Sequence, residues 1–262
     1  MNTLNVIKIG GNIIDSESRL AGFLAAFAGI AGPKILVHGG GKIATEIGGQ
    51  LGIEPHYIGG RRITDAATLD LVTMVYGGLI NKRLVARLQT AGCNAIGLSG
   101  CDGRVIMASK RPVRDIDYGF VGDLAEESIN LGFLQTLLAA GLTLVFAPLT
   151  YDESKGGLLN TNADTIAQEL AKAASKLRQV QLIYCFEKKG LLMHPDDDES
   201  VIPAVTEDEF LQFVARGIVR EGMIPKLENA FKAIRHGVRK VIIGQAEDLS
   251  QLIAGTAGTH IQ

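Results

Sequence analysis

Three consecutive glycines follow a hydrophobic strand near residue 40, and they constrain the fold of this chain more than any other feature. Residues 34–37 are predicted to form the strand, His38-Gly39-Gly40-Gly41 the turn, and a helix begins near Lys42. Glycine loses more backbone freedom on folding than other residues, so a run of glycines indicates a tight turn or a ligand that approaches the main chain. A glycine turn between a strand and a helix also directs several N–H groups and the positive end of the helix dipole to one point, which favours phosphate binding.

A second glycine turn has the same arrangement at the start of the chain. Leu4–Ile9 is predicted to be a buried strand, Gly10-Gly11 its turn, and Asp15-Ser16 the cap of a helix that ends near Ile30. In a doubly wound sheet both turns lie at the carboxyl ends of parallel strands, where such folds bind ligands. Lys8 lies inside the first strand, so it either has an anionic partner or extends into solvent at the edge of the sheet.

Hydrophobic segments alternate with helical ones over most of the chain, which predicts an α/β protein with several parallel strands. Further strands are predicted at about 95–98, 143–147, 181–185, 240–243 and before residue 262. Further helices are predicted at about 42–51, 66–89, 130–140, 164–174, 222–236 and 248–253, and residues 206–209 are predicted to open a short helix. Two hairpins are predicted in addition, one over 55–64 and one that pairs 104–108 with 113–121.

Composition and charge limit the classes of partner. With 262 residues, 47% of them hydrophobic, the chain can bury a substantial core. Its formal net charge of −2 gives no broad electrostatic basis for binding nucleic acid or an anionic membrane, so a small molecule is the expected partner. Three widely spaced cysteines predict neither a disulfide framework nor a zinc site. Without a signal-peptide pattern or an apolar run near the ~18 residues that span a bilayer, a cytoplasmic protein is expected.

Polar clusters elsewhere in the chain are open to two interpretations. The residues from Asn160 to Asp164 stand before a predicted helix, so they are either helix caps or part of a site. Arg61 and Arg62 in the first hairpin either grip a carboxylate or are solvated surface charges. The acidic run 196–199 is interpreted as an exposed loop rather than a metal site, because adjacent carboxylates do not converge unless a loop is built to bend them.

The turn near residue 40 does not match a P-loop, because Lys42 is followed by Ile43 and Leu36 occupies the place of the first glycine. Residues 39–44 do fit the dinucleotide pattern G-x-G-x-x-A. That pattern leaves Lys8 and the first glycine turn unexplained, and a hairpin stands where the pattern needs an acid about twenty residues later. A nicotinamide-dependent enzyme is therefore disfavoured.

Four motifs, in order along nearly the whole chain, resemble the amino acid kinase family: Lys8-Ile9-Gly10-Gly11, His38-Gly39-Gly40-Gly41, Asn160-Thr161-Asn162-Ala163-Asp164 and Gly222-Met223-Ile224-Pro225-Lys226. Within that family, Gly60-Arg61-Arg62-Ile63-Thr64 and Asn81-Lys82 resemble the branch that acts on acylglutamates. The resemblance implies a single domain over 1–262, a three-layer αβα sandwich with a mainly parallel central sheet like that of carbamate kinase. It also implies an N-lobe, 1–178, that binds the acyl amino acid and dimerises, and a C-lobe, 179–262, that binds ATP.

The resemblance further implies phosphorylation of the γ-carboxylate of an N-acyl-L-glutamate by ATP, a step of arginine biosynthesis. The catalytic group is expected to be Lys8, Lys226 and Asp164, in which the aspartate orients two lysines that flank the phosphates. Gly10 and Gly11 are expected to offer main-chain N–H groups to ATP. The acyl substrate and the phosphoryl group that it receives are expected to contact Gly40, Gly41, Arg62 and Asn160. Mg²⁺ is expected to be held mainly by ATP oxygens, without a metal site on the protein.

Several points stay open at this level. N-acetyl-L-glutamate is the expected substrate, with N-succinyl-L-glutamate, another carboxylate or carbamate, or a catalytically silent amino-acid sensor as alternatives. The sensor predicts loss of charge at the phosphate site, which this sequence retains. The segment 185–190 and Cys101 depart from the family pattern, which leaves the nucleotide contacts open. The chain begins at its first strand, whereas arginine-inhibited hexameric relatives carry an additional N-terminal helix, so an arginine-insensitive homodimer is expected.

Overall fold

The first strand, β1 (Leu4–Ile9), is apolar except at Asn5 and Lys8, and all six of its residues are buried. A strand buried on both faces is typical of the centre of a parallel sheet. In the computed structural model, which describes residues 3–219 and 223–262, β1 lies between β2 (Lys34–His38) and β11 (Val180–Phe186) and pairs with both in parallel. Strands from before and after residue 178, the expected boundary between the lobes, therefore belong to one sheet.

The central sheet is mainly parallel, as predicted. Among the described residues it has eight strands, in the order β12 (Ala204–Val205), β14 (Thr259–Ile261), β13 (Lys240–Gln245), β11, β1, β2, β8 (Thr143–Phe146) and β5 (Ala95–Leu98). Only the β13–β14 pair in this sheet is antiparallel among the residues described. Six consecutive strands, from β13 through β11, β1, β2 and β8 to β5, run in one direction, so the loops that follow β1, β2, β8 and β11 lie at a common edge.

Helices cover both faces of the sheet and give the expected three-layer sandwich. They are α1 (Gly11–Ile14), α2 (Glu17–Ala28), α3 (Gly41–Gln50), α4 (Ala66–Val72), α5 (Asn81–Thr90), α6 (Leu131–Ala139), α7 (Ala163–Ser175), α8 (Glu207–Ala215), α9 (Ile224–Arg235) and α10 (Leu249–Ala254). Leu4 and Val6 pack with α6, α7, α8 and α9 on one face. Ile7 and Ile9 pack with α2, α4, α5 and α10 on the other. Successive strand residues point to opposite faces, so Lys8 lies on the α7 side.

The segment between residues 55 and 160 differs in detail from the prediction. The first hairpin is confirmed as β3 (Tyr57–Ile58) and β4 (Arg61–Arg62), joined by two glycines with positive φ. The predicted pairing of 104–108 with 113–121 is wrong: β6 (Ser109–Lys110) pairs with β7 (Gly122–Asp123) instead. Val105 and Ile106 are buried in the core, so they pack rather than form that hairpin. A hairpin of β9 (Leu149–Asp152) and β10 (Gly157–Asn160) was not predicted.

Helical bounds also differ at two places. The helix expected over 66–89 consists of α4, a π-helical segment (Thr73–Ile80) and α5. This π segment lies against the second glycine turn, since a Cβ added to Gly40 would be 2.3 Å from Ile80 Cδ1. Residues 11–14 form the short helix α1, and Ser16 stands at the N-cap of α2 without a capping bond from its side chain. Within the described residues, no helix is long and apolar enough to cross a membrane.

Candidate active site

The two glycine turns are in direct contact, as their positions after neighbouring parallel strands predicted. The Gly39 N–H donates to the Ile9 carbonyl at 3.0 Å. A Cβ on Gly39 would lie 3.6 Å from that carbonyl and 3.7 Å from the Gly11 nitrogen. The short helix α1 and the helix α3 both begin at these turns. The first N–H groups of a helix have no partner within it, so the two turns place free donors at one edge of the sheet.

Asp164 lies between two lysines beside the glycine turns. Its Oδ1 is 2.7 Å from Lys8 Nζ, and its Oδ2 is 2.8 Å from Lys226 Nζ. The side chains of Lys8 and Asp164 are each 11% exposed, and that of Lys226 is 27% exposed. Lys8 therefore has the anionic partner that a lysine inside a buried strand requires, and it does not extend into solvent. One carboxylate holds two ammonium groups, which leaves the cluster with a net positive charge.

The pKa values in this cluster follow from burial and from the neighbouring charges. Burial alone would raise the pKa of Asp164, but the two lysines outweigh it and hold that pKa well below its usual range. Burial lowers the pKa of Lys8, and Lys226 adds to this effect, while Asp164 opposes it. Asp164 is therefore ionised at neutral pH. The aspartate is the group that makes it favourable for two lysines to be close together.

The polar residues before α7 divide between capping and the site. Asn162 is the N-cap residue, since its Oδ1 accepts from the N–H groups of Asp164 at 2.8 Å and Thr165 at 3.2 Å. This capping leaves the Asp164 carboxylate for the lysines. Asn160 lies at the end of β10, where its Nδ2 donates to Thr64 Oγ1 at 3.0 Å. Both interpretations of the sequence cluster thus apply, each to different residues.

Arg62 connects the first hairpin to the second glycine turn. Its Nη2 donates to the Gly41 carbonyl at 2.8 Å and to Thr45 Oγ1 at 2.9 Å. Arg62 is 8% exposed and its guanidinium lies over the Tyr57 ring, so it is not a solvated surface charge. Arg61, the preceding residue in β4, is exposed. The structure therefore distinguishes two arginines that the hairpin pattern alone left equivalent, and the buried one is the arginine that the family resemblance named.

A cavity of about 500 Å³ is lined by the second glycine turn and by the start of α7, whereas the first glycine turn and the side chains of Lys8, Asp164 and Lys226 are not part of its walls. Its walls include all four residues expected to contact the acyl substrate, which are Gly40, Gly41, Arg62 and Asn160. They also include Asn162 and Ala163, which immediately precede Asp164. A volume of this size suits a small organic ligand. Gly222, part of the fourth motif, lies outside the described residues, whereas Lys226 lies in the first turn of α9.

Some residues of the cavity carry no signal in the sequence. Tyr76 is buried in the π segment and lines the cavity, and its hydroxyl would be 4.0 Å from a Cβ on Gly41. Burial raises the pKa of Tyr76, although Arg62 partly opposes the shift. Nothing in the sequence marks a π turn at this position. Thr45, which accepts from Arg62 but does not line the cavity, lies one helical turn after Gly41, and that spacing is the signal by which the sequence could have indicated it.

The acidic loop near residue 197 is exposed, as predicted, and its carboxylates pair with neighbouring lysines. Lys188 lies 3.1 Å from Asp198, and Lys189 pairs with Glu199. Over residues 3–219 and 223–262, no group of three histidine, cysteine or acidic side chains is placed to hold a metal ion.

The αβα sandwich and the lysine–aspartate cluster at the edge of its sheet define the class of the protein as α/β, with a cationic site at the carboxyl ends of parallel strands. A model of the amino acid kinase family matches residues 3–245, and the chain belongs to that family. It is 57% identical over 248 residues to an acetylglutamate kinase of Phocaeicola vulgatus, covering 95% of each chain. It is 54% identical to an acetylglutamate kinase of Cytophaga hutchinsonii over 264 residues, which covers 100% of this chain and 99% of that one. The structure also resembles carbamate kinase from Giardia lamblia with a TM-score of 0.71 at 15% identity, covering 99% of this chain and 98% of that one.

Proposed function

We propose that this chain transfers the γ-phosphoryl group of ATP to the γ-carboxylate of N-acetyl-L-glutamate, in the biosynthesis of arginine. The observation that carries the proposal is the bridge from Asp164 to Lys8 at 2.7 Å and Lys226 at 2.8 Å, beside a cavity lined by Arg62 and Asn160. Membership of the amino acid kinase family and the identity to acetylglutamate kinases over nearly the whole chain support it.

The chemistry of this reaction fits a site without a general base. A γ-carboxylate has a pKa near ~4.3, so at neutral pH it is already the nucleophile. One of its oxygens forms a bond to the γ-phosphorus, while the bond from that phosphorus to the bridging oxygen of ADP breaks. The difficulty is to bring two anions together in line. Cationic and N–H donors that face the transferred group supply that stabilisation.

Lys8 and Lys226 are the catalytic residues of this proposal, and they flank the phosphates of ATP and contact the phosphoryl group that is transferred. Asp164 keeps both ammonium groups in position without neutralising the pair. The N–H groups of Gly10 and Gly11 at the start of α1 bind nucleotide phosphate. Those of Gly40 and Gly41 at the start of α3 face the phosphoryl group from the side of the acyl substrate. Two helix N-termini thereby supplement the two lysines.

Arg62 and Asn160 hold the polar groups of the acyl amino acid. The Nη2 of Arg62 is occupied by Gly41 and Thr45, so the rest of its guanidinium remains for the α-carboxylate of the substrate. The contact with Gly41 couples the substrate-binding hairpin to the phosphate-binding turn. Binding of the α-carboxylate by Arg62 therefore also holds in place the turn that donates N–H groups to the phosphoryl group.

ATP fits the phosphate-binding end of the site, because unpaired N–H groups at two helix starts and two lysines converge there. ATP supplies the phosphoryl group when it is bound. Mg²⁺ would be held by phosphate oxygens and water, since the side chains that converge at this end are lysines rather than a set of carboxylates. We further propose that residues 1–178 form the lobe that binds the acyl substrate and dimerises, that residues 179–262 bind ATP, and that the enzyme is a cytoplasmic homodimer.

A second candidate substrate, N-succinyl-L-glutamate, is favoured by a specific observation. Another cavity, of about 450 Å³, adjoins the first and shares Arg61, Arg111 and Asp123 with it. Three arginines and two aspartates line it, and Arg111 is paired with Asp123 at 2.5 Å. Arg61 and Arg114 are exposed and form no ion pair within the described residues. An acyl group that ends in a carboxylate would find a cationic partner there, whereas an acetyl group carries no charge to pair with these arginines.

Acyl-phosphate formation, trapped with hydroxylamine, tests the function. N-acetyl-L-glutamate, N-succinyl-L-glutamate, free glutamate and carbamate are compared in parallel with ATP and Mg²⁺. Preference for N-acetyl-L-glutamate is expected. Preference for the succinyl compound, lost in Arg61→Ala, would select the second candidate. Activity only on a free amino acid or carbamate would overturn both, and no turnover on any compound would favour a silent sensor.

A further inference from the structure

His38, between β2 and the glycine turn, is fully buried and hydrogen-bonded through both ring nitrogens. Its Nδ1 lies 2.8 Å from the Gly39 carbonyl, and its Nε2 lies 3.2 Å from Asn81 Nδ2. Asn81 Nδ2 also lies 2.9 Å from the carbonyl of Val145 in β8. A chain of contacts thus runs from the neighbouring strand, through α5, to the second glycine turn.

These contacts determine which ring nitrogen carries the proton. The Val145 carbonyl can only accept, so it must face the amide nitrogen of Asn81 rather than its oxygen. The same nitrogen donates its second hydrogen to His38 Nε2, which therefore accepts. The proton lies on Nδ1 and is donated to the Gly39 carbonyl. Burial lowers the pKa of His38 to about 4, so the ring is neutral at physiological pH.

The bond to Gly39 fixes the direction of the next donor. A peptide group is planar and trans, so the Gly39 carbonyl and the Gly40 N–H point in opposite directions. With the carbonyl held against the buried ring, the Gly40 N–H is turned away from it. Gly39, Gly40 and Gly41 line the cavity next to the lysine–aspartate cluster. Gly40 has φ +150°, which only glycine adopts readily, so its orientation depends on such external restraints.

Gly97 in β5 leaves room for the Asn81 side chain because it has no Cβ. A Cβ at residue 97 would lie 1.9 Å from Asn81 Oδ1 and 3.0 Å from its Cγ. Glycine in the interior of a strand is otherwise unfavourable and indicates a close approach. Asn81 Oδ1 is buried without a hydrogen-bond partner in the described structure, so the amide group contributes hydrogen bonds only through its nitrogen. The cost of that unpaired oxygen indicates that the donor to His38 and Val145 has a purpose.

We infer that His38 and Asn81 are positioning residues that hold the Gly39–Gly40 peptide so that the Gly40 N–H faces the transferred phosphoryl group. His38 acts as a fixed donor and carries no proton between reactants. The inference rests on the proposed function for its substrate, but its structural part, the Nδ1–H tautomer set by Asn81, does not. Gly97 belongs to the same arrangement because it leaves room for the amide.

A matched pair of substitutions separates the donor from the packing. In His38→Asn, the side-chain nitrogen of the asparagine can take the place of Nδ1. In His38→Leu, the leucine branches at Cγ as asparagine does but has no hydrogen-bond donor. We expect kcat to fall about tenfold further in His38→Leu than in His38→Asn, the effect of one neutral hydrogen bond, with KM for both substrates changed little. Equal kcat in the two variants at equal melting temperature would overturn the inference. A pH profile of kcat that loses an ionisation in both variants would instead make His38 a proton-transfer group.

Nitrogen-15 NMR of labelled histidine tests the tautomer without any turnover. We expect His38 to be protonated on Nδ1 and neutral from about pH 6 to about pH 8 in the wild-type protein. Gly97→Ala, which displaces Asn81, should convert the signal to a mixture of tautomers and lower kcat. An Nε2–H tautomer in the wild type would refute the inference whatever the activity. The Nδ1–H tautomer in a protein that phosphorylates no acylglutamate would instead refute the proposed function.

Discussion

Asp164→Asn is the most informative single substitution, because it removes the charge between two lysines while preserving the shape of the side chain. Asp164 lies 2.7 Å from Lys8 and 2.8 Å from Lys226, and it is 11% exposed. Loss of one partner from a buried ion pair costs about 3–5 kcal/mol. The amide oxygen can still accept from one lysine, and a hydrogen bond to a charged group recovers about 1.5–3 kcal/mol. The expected loss in unfolding free energy is about 2 kcal/mol.

The stability loss should be measurable by thermal unfolding. For a chain of this size, 2 kcal/mol corresponds to a decrease in melting temperature of about 4–8 °C. The folded-state pKa of Asp164 is depressed, so its contribution is fully present above the unfolded pKa and is lost only as pH falls through the folded value. The difference between wild type and variant should therefore be constant between about pH 6 and about pH 8.

Kinetics of the same variant should separate the effect of lysine position on turnover from the effect of net charge on ATP binding. Turnover should fall on the order of a hundredfold, because the lysines repel each other away from the phosphoryl group. The KM for ATP should not rise, since the site gains one net positive charge. The hydroxylamine assay gives both constants. Turnover within about twofold of wild type, together with a shift in melting temperature below about 1 °C, would refute the role given to Asp164.

Asp15→Asn provides the matched control for stability. The Asp15 side chain is 13% exposed, a fraction similar to that of Asp164. The lysine paired with it, Lys42, is 3.9 Å away. Burial raises the pKa of Asp15, although Lys42 partly opposes the shift, and neither carboxylate oxygen has a hydrogen-bond partner in the described structure. A raised acid pKa means that ionised Asp15 is destabilising above its unfolded pKa. The amide should therefore unfold at the same temperature as wild type or a higher one.

Three further predictions concern the lysines, the hairpin and the glycine turn. Lys8→Ala and Lys226→Ala should each lower turnover on the order of a hundredfold with the fold intact. The control Lys176→Ala, at an exposed lysine, should leave turnover unchanged. Near-normal turnover in Lys8→Ala or Lys226→Ala would refute the proposed mechanism. Arg62→Ala should chiefly raise the KM for N-acetyl-L-glutamate, and Arg61→Ala should leave it unchanged; the same KM in both variants would mean that Arg62 only holds Gly41. Gly40→Ala should lower the melting temperature and turnover, because the added Cβ would lie 2.3 Å from Ile80 Cδ1. In the control variant Gly49→Ala the added Cβ enters open space in a helix, and stability should increase by about 0.5–1 kcal/mol. Equal melting temperatures of the two variants would contradict the packing around Gly40.

Most of the secondary structure could be predicted, because it depends on local patterns. Continuous apolar runs predicted the central strands, and β1 and β11 extend within a residue or two of the expected bounds. The segment with few apolar runs, 104–123, was predicted incorrectly. Its two-residue strands are set by contacts with β9 and β10 through Met107 and Val121, which no local pattern encodes. The π segment was missed because it continues, without a break, the apolar pattern of the helices on either side of it.

The site could be predicted in part for a related reason. Strand polarity and glycine spacing place two turns at one edge of a parallel sheet, and Lys8 inside an apolar strand requires an anion. Residue patterns alone could not select Asp164 as that anion from other acids, nor Arg62 from Arg61; only the resemblance to the amino acid kinase family singled them out. Those choices depend on which side chain reaches across a buried gap, and Lys226 and Asp164 are 62 residues apart.

The sequence by itself determined the order of strands and helices along the chain, the two glycine turns, and the presence of a lysine inside the strand before the first turn, because backbone entropy and hydrophobic periodicity act over a few residues. Only the tertiary structure decided how those parts are oriented. The bridge of Asp164 to two lysines, the attachment of Arg62 to Gly41 and the Asn81–His38–Gly39 chain each join residues from different elements. Hydrogen bonds and ion pairs depend on distances of a few tenths of an ångström, and those are set when the two cores pack against the sheet.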